Sequence, residues 1–381
     1  MKSLLVILRN PRYFGPAWAF ASLNILFGTW AIYIPIIQEK LAISKSDLGI
    51  AIFCLALGTF ASLSISAKII TKIGVGKATG IGVFLICAFS VFPLLAPSYY
   101  WLMVALFIQG ATQGFLDIAM NTLVTDIEKQ DKQNFMSAAH GFFSLGGVLA
   151  GLGSFLIIPL ANPALHMVLA MILVLTVSLC FVKHYWHIKA PIAAKEPFSF
   201  KHIKPLFLLA VISFVIMGSE GAIVDWSGLF LKEVSIAPEH LWGFGFLAFS
   251  ITMTLGRFLA DGISAKIGSV KIVVWSISIA LVGFLLVLTT GTFAAITGFA
   301  FVGLGFSVII PELFRIGGNV EGVESSQGIS FIAGTGYSGF LIGPVVLGFV
   351  ADSFGLSTSF VVLTALSVLV LLAAIKLLNQ K

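Results

Sequence analysis

Charge is scarce in this chain of 381 residues: Asp, Glu, Lys and Arg together make up 10% of it, against about 25% in an ordinary soluble domain. So thin a polar shell cannot keep a globule of that size in water, since even soluble folds leave over half of their surface apolar. Soluble enzymes, nucleic-acid modules and disordered scaffolds are excluded. Cysteine is nearly absent too. Cys54, Cys87 and Cys180 lie inside apolar runs and are odd in number, which argues against a disulfide framework and leaves them as small packing residues. There is no His/Cys/acid set at metal-ligand spacing, no nucleophile elbow and no phosphate-cradling glycine loop, so neither metal, cofactor nor enzymatic role is expected. The 22 basic residues exceed the 16 acidic ones, but they stand singly between apolar runs, as topology signals do, rather than in a patch for nucleic acid. Leu4–Leu8, between Lys2 and Arg9, is too short for a signal-peptide core.

What the chain has in abundance is apolar sequence, with 59% hydrophobic residues and a mean hydropathy of +1.07. Twelve runs cover roughly 14–38, 47–70, 78–96, 99–125, 136–160, 164–182, 204–232, 240–264, 270–289, 292–313, 326–350 and 356–378. Crossing the hydrocarbon core takes about 20 apolar residues. The runs are continuous rather than alternating, and lipid offers no partner to open backbone groups, so they predict helices. The expected class is an all-α membrane protein of twelve transmembrane helices. With the N-terminus in the cytoplasm, 19 of the 22 Lys and Arg fall on the inner side, and Lys40, Lys45 and Lys232 outside; both termini are then cytoplasmic. The long interruption 183–203 reads as a solvated cytoplasmic linker between an N-terminal six-helix bundle, 1–182, and a C-terminal one, 204–381. Attraction of its basic residues to anionic headgroups is a secondary reading.

An internal repeat crosses that linker. Lys72-Ile73-Gly74-Val75-Gly76-Lys77 matches Lys266-Ile267-Gly268-Ser269-Val270-Lys271 at an offset of 194, and Gly58-Thr59-Phe60 matches Gly256-Arg257-Phe258. Gly114-Phe115 matches Gly305-Phe306, while Gly147 and Gly151 match Gly339 and Gly343, all at offsets of 191 to 198. Two duplicated halves predict a pseudo-two-fold with a solute site at their interface.

Gly256-Arg257-Phe258-Leu259-Ala260-Asp261, with Gly268 and Lys271, resembles the loop 8–9 signature of the major facilitator superfamily. Residues 136–146 and 336–344 look like a poorly characterised bacterial, YbjJ-like branch near the fucose permeases. The resemblance implies alternating access by two rocking bundles, with spans one, four, seven and ten around the cavity. It also implies a conformational latch, here Asp261 with Arg257 and Lys266. The first-half copy departs from the pattern, with Ala67 where an acid is expected and Lys68 beside it.

Three acids, Asp117, Glu220 and Asp225, lie well inside spans with no Lys or Arg at comparable depth. An ionised side chain there costs about 2.5–3.5 kcal/mol on insertion scales, and desolvation without a counter-ion favours a neutral acid. These acids are therefore candidates for proton coupling, or else hydrogen bonds that hold helices in register. In span four, Gln109, Gln113, Asp117 and Asn121 recur every four residues and form a polar stripe, expected to face a cavity. His140 is placed about a turn from Asp117, where the pair could hold or relay a proton. Glu220 and Asp225 are five apart, about 140° around a helix. Asn24 and Glu220 are 196 apart, as are Trp30 and Trp226, so repeat symmetry makes them equivalent. The two tryptophans suit stacking on a sugar-like solute, or alternatively an outer interface belt. Gln327 and Tyr337 are weaker cavity candidates, and Glu312 with Arg315 reads as a helix-end ion pair.

The sequence-based reading is a monomeric secondary transporter of the bacterial inner membrane, moving a small polar, sugar-like solute with protons. Proton-antiport export of drugs or metabolites is the alternative, kept alive by 35 Phe residues. An integral membrane enzyme is the weaker reading from another class.

Overall fold

The computed structural model describes residues 2–133, 135–156, 160, 162–189, 203–321, 323 and 325–379. Twelve helices among them are long and apolar enough to cross a membrane. In chain order they are Pro11–Leu41, Lys45–Ile73, Val75–Ser90 continued by Phe92–Leu95, Tyr99–Asp131, Met136–Leu152 continued by the 3-10 turn Gly153–Leu156, and Pro163–Phe181. The second six are Ile203–Glu233, Phe244–Ile267, Ser269–Val287, Thr292–Phe306 continued by Ile309–Gly317, Ser325–Phe354 and Leu356–Asn379. We refer to them as spans one to twelve. Each coincides with one apolar run. Spans one and four run past the apolar stretch because polar residues extend their last turns. A short helix, Lys2–Arg9, precedes span one and has no counterpart among the apolar runs.

Local chemistry sets the ends. Asn10 accepts the Arg12 N–H at 3.0 Å, and Pro11 fills the first helical position of span one, where no N–H is needed. Asn162 and Pro163 repeat the device at span six, with the Leu165 N–H 3.1 Å from the Asn162 carboxamide oxygen. Between spans four and five the Glu128 carboxylate accepts the N–H of Phe135 and, at 2.7 Å, that of Met136. An acid that looks like a surface charge thus caps the start of span five.

The chain divides into two compact units, residues 1–43 with 50–193, and residues 44–49 with 194–381. In lipid, helices gain little from hydrophobic contact and instead pack where small residues let backbones approach. The same approaches recur inside each unit. Gly110 of span four lies against the Leu55 carbonyl of span two, and Gly303 of span ten against that of Phe249 of span eight. Gly146 of span five meets the Ala21 carbonyl of span one, and Gly339 of span eleven that of Phe214 of span seven. Gly74 and Gly268, which open spans three and nine, share a left-handed backbone with φ of 92° and 86°. The duplication is therefore structural. Its packing register is 193–194 residues, at which Asn24 corresponds to Met217 and Trp30 to Ile223. This corrects the offset of 196 that pairs Asn24 with Glu220 and Trp30 with Trp226: matching polar residues by type drifts by most of a turn from the backbone contacts.

The expected linker needs a second correction. Its first residues are not simply solvated, because Tyr185 and Ile188 are buried and the Gly76 N–H donates to the Ile188 carbonyl at 3.0 Å. Burial pushes the Tyr185 phenol above its ordinary range. Residues 190–202 lie outside the described residues.

Candidate functional site

In the first unit the polar stripe of span four changes character along its length. Gln109 is fully buried with neither amide atom hydrogen-bonded, and the Gln113 carboxamide oxygen is also buried without a partner. Asp117 and Asn121 are only half-buried. The Asn121 amide donates to the Asp117 carboxylate at 3.1 Å and to its carbonyl at 2.8 Å. One end of the stripe is dry and unsatisfied; the other is wetter and self-paired. Buried amides without partners are rare in native proteins and mark places where a water, ligand or alternative conformation supplies the missing bond.

Sequence reasoning offers His140 of span five as the partner of that carboxylate. Its imidazole is exposed and packs edge-on to Phe20, with ring centroids 4.9 Å apart. The Asn24 amide donates to the Phe143 carbonyl at 2.9 Å, tying span one to span five. Trp30 is wholly buried. The buried histidine of this unit is one that sequence reasoning misses. His166 of span six lies 3.0 Å from the Tyr33 hydroxyl of span one, against Gly153. Nothing local marks it, since its partner is 133 residues away.

In the second unit span seven carries two acids in contrasting settings, as their angular separation implies. Glu220 is half-buried, and its Oε1 lies 3.7 Å from Nη2 of Arg257 on span eight. This overturns the expectation that no cation reaches the depth of the acids. Arg257 stands three turns from the end of span eight, and its side chain crosses to the neighbouring helix. Asp225, in contrast, is 2% exposed, and its Oδ1 has no hydrogen-bond partner among the described residues. The Trp226 indole N–H and the Ser219 and Ser227 hydroxyls are likewise buried and unpartnered. Trp226 is 1% exposed, so it is not a lipid-facing belt residue.

The described residues do not test the expected latch. Arg257 is directed to Glu220, Lys266 is exposed, and the side chains of Asp261 and Gln327 lie outside the described residues. Tyr337 is exposed. The helix-end ion pair is present: Arg315 reaches the buried Glu312 at 2.9 and 3.2 Å and also donates to the Ser264 hydroxyl at 2.8 Å. Span ten is thereby fastened to the end of span eight. No cluster of metal-ligating side chains occurs among the described residues.

Twelve apolar spans, duplicated packing and polar groups inside the helices define a polytopic membrane carrier. Residues 18–316 match the family model of the Major Facilitator Superfamily, and the chain belongs to that superfamily of secondary transporters, which are not enzymes and which move small-molecule solutes. It is 27% identical over 352 residues to an uncharacterised MFS-type transporter of Yersinia pestis, covering 90% of this chain and 89% of that one. It is 25% identical to the membrane protein MosC of Rhizobium meliloti, covering 94% and 88%. Among solved structures, the nucleoside transporter NupG superposes with a TM-score of 0.74 at 13% identity, covering 98% of this chain and 100% of that one. That likeness is one of fold.

Proposed function

We propose that this protein carries a small polar, sugar-like solute by alternating access and that proton movement drives it. The observation that carries the coupling is Asp225: a carboxyl 2% exposed, with Oδ1 unbonded and no cation against it among the described residues. An ionised group cannot be kept that way cheaply, whereas a neutral acid can. Such a group holds its proton while dry and gives it up when a conformational change lets water in. Glu220, with Arg257 beside it, serves better as a fixed charge pair. Asp117 and Asn121 form the wetter proton- and solute-facing end of the span-four stripe, and the exposed His140 is assigned to proton transfer with Asp117.

Solute recognition rests on the amides. Gln109 offers a donor and an acceptor, and Gln113 an acceptor, that no described residue satisfies, which suits hydroxyl-rich ligands. The Trp226 indole and Asn24 are further polar contacts, and Trp30, Gln327 and Tyr337 are assigned with them. The positive-inside distribution supports cytoplasmic termini, and the bacterial relatives support an inner membrane. Six spans per half support the division at 182 and 204, in a monomer of the YbjJ-like branch.

A thermal-shift screen of the purified protein against sugars, nucleosides, amino acids and drugs tests the solute class, because a ligand that binds only the folded state raises its apparent stability. The hit should then drive proton movement in proteoliposomes under a pH step. A sugar-like hit with proton flux supports the reading. Flux indifferent to every hit, or stabilisation by apolar drugs alone, contradicts it.

A further inference from the structure

The residues that follow span six form a docked strap. The Gly76 N–H bonds the Ile188 carbonyl at 3.0 Å, and Gly76 itself lies against the Tyr185 carbonyl. A Cβ on Gly80 would meet the Trp186 ring at 2.7 Å, one on Gly74 the Lys189 stem at 3.1 Å, and one on Gly15 the Tyr185 ring at 2.7 Å. Gly74 of loop 2–3 and Gly76 and Gly80 at the start of span three are therefore a seat. Their repeat counterparts at 194 are Gly268, Val270 and Val274. A Cβ at Gly268 would touch nothing within 4 Å. The second half keeps the turn and lacks the seat.

Docking brings together charges from two distant parts of the chain. Lys72 and Lys77 flank the seat; Lys183, His187 and Lys189 arrive on the strap, and all five are exposed. Trp186 is 40% exposed beside them. No acid occurs between Asp47 and Asp117 or between Asp131 and Glu196. The acids at the neighbouring end of span four are engaged: Asp126 with Gln130, Glu128 with the start of span five, and Asp131 with Arg12 at 2.9 Å. None of these lysines is in an ion pair among the described residues. A topology signal would need only scattered lysines; it would not need three glycines to gather them around a half-exposed indole.

We propose that this surface binds anionic phospholipid headgroups of the cytoplasmic leaflet, with the lysines on the phosphates and Trp186 at the headgroup level. It rests on the inward assignment of loop 2–3 and is independent of the solute.

The test titrates detergent-solubilised full-length protein with phosphatidylglycerol and with phosphatidylcholine, read by thermal midpoint and by native mass spectrometry of retained lipid. Phosphatidylglycerol should stabilise more and be retained preferentially, while glycerol 1-phosphate, the free headgroup, should do neither. Each lysine lost should cost about fivefold in phosphatidylglycerol affinity. The variant K72Q/K77Q/K189Q should therefore lose roughly a hundredfold and keep its phosphatidylcholine response. Gly76→Val, which installs the residue of the other half, should displace the strap and lose the preference with every lysine present. The control K204Q/K271Q/K376Q, from exposed lysines of the second unit, should retain it. Preference surviving the first triple variant, or lost equally in the control, overturns the proposal. So does equal stabilisation by glycerol 1-phosphate. Failure of transport with lipid preference intact would count against the solute reading alone.

Discussion

Arg257 on span eight holds its guanidinium 3.7 Å from the Glu220 carboxylate on span seven, with 20% and 18% of the two side chains exposed. This pair sits inside the membrane-spanning part of the second unit and separates Glu220 from Asp225 in chemistry as well as in angle. Removing one partner of a largely buried pair strands the other. Arg257→Ala should lower stability by roughly 2 kcal/mol, and the double variant R257M/E220Q should recover most of it. Thermal unfolding in detergent checks this, and equal loss in single and double variants would show that the pair is not the source.

The Glu312–Arg315–Ser264 group makes a sharper case. Glu312 is 2% exposed while the Arg315 side chain is 48% exposed, so Arg315→Ala leaves a buried carboxylate without its ion-pair partner and should cost about 3 kcal/mol, the low end for a buried pair. Ser264→Ala removes a single hydrogen bond to a charged group, about 1.5–3 kcal/mol. Glu312→Gln should be milder than Arg315→Ala, and the ranking is read from thermal midpoints.

Gly114 of span four faces the Ser62 hydroxyl of span two, whereas in the second unit Gly256 of span eight faces Ser307 beside span ten. The same contact is made with glycine and serine exchanged. Gly114→Ser should overpack the helix pair by about 1–3 kcal/mol, and adding Ser62→Gly should restore the wild-type midpoint. A double variant no better than the single would mean the two contacts are not equivalent.

The twelve spans are legible in the sequence because lipid imposes one rule on composition, a long apolar run per crossing, and the chain obeys it almost without exception. The duplication is legible at Gly74 and Gly268, 194 apart, whereas the glycine matches at 191, 192 and 198 fall outside the packing register, because glycine is common and at one contact is exchanged with serine. The site is legible in part. Residue type and depth mark Asp117, Glu220 and Asp225, but partnership depends on which helix lies alongside, and spacing along one helix does not carry that. Sequence alone therefore groups Arg257 with the loop signature that contains it, although its side chain reaches the acid on span seven. Counting turns places His140 by depth alone and does not carry its ring contact with Phe20 of span one. Buried His166 escapes for the same reason, its partner Tyr33 being five spans away. The docked strap escapes because Lys183–Lys189 has the composition of a solvated linker; its signal lies in Gly76 and Gly80, more than a hundred residues earlier, which have no counterpart in the second loop.

Asp117→Asn and Gln113→Ala separate coupling from recognition in span four. The first should weaken proton-driven accumulation at least tenfold with counterflow partly kept. The second should raise the solute's half-saturation with unchanged expression, since its unpartnered carbonyl is assigned to the ligand. Unchanged affinity in Gln113→Ala would place the stripe at a helix contact.

The most direct test of the account is dye-reported proton flux in proteoliposomes holding Asp225→Asn, driven by the solute identified in the screen. The account predicts that solute-dependent proton movement disappears while solute exchange under equal concentrations continues. Proton movement at the wild-type rate in that variant would contradict it.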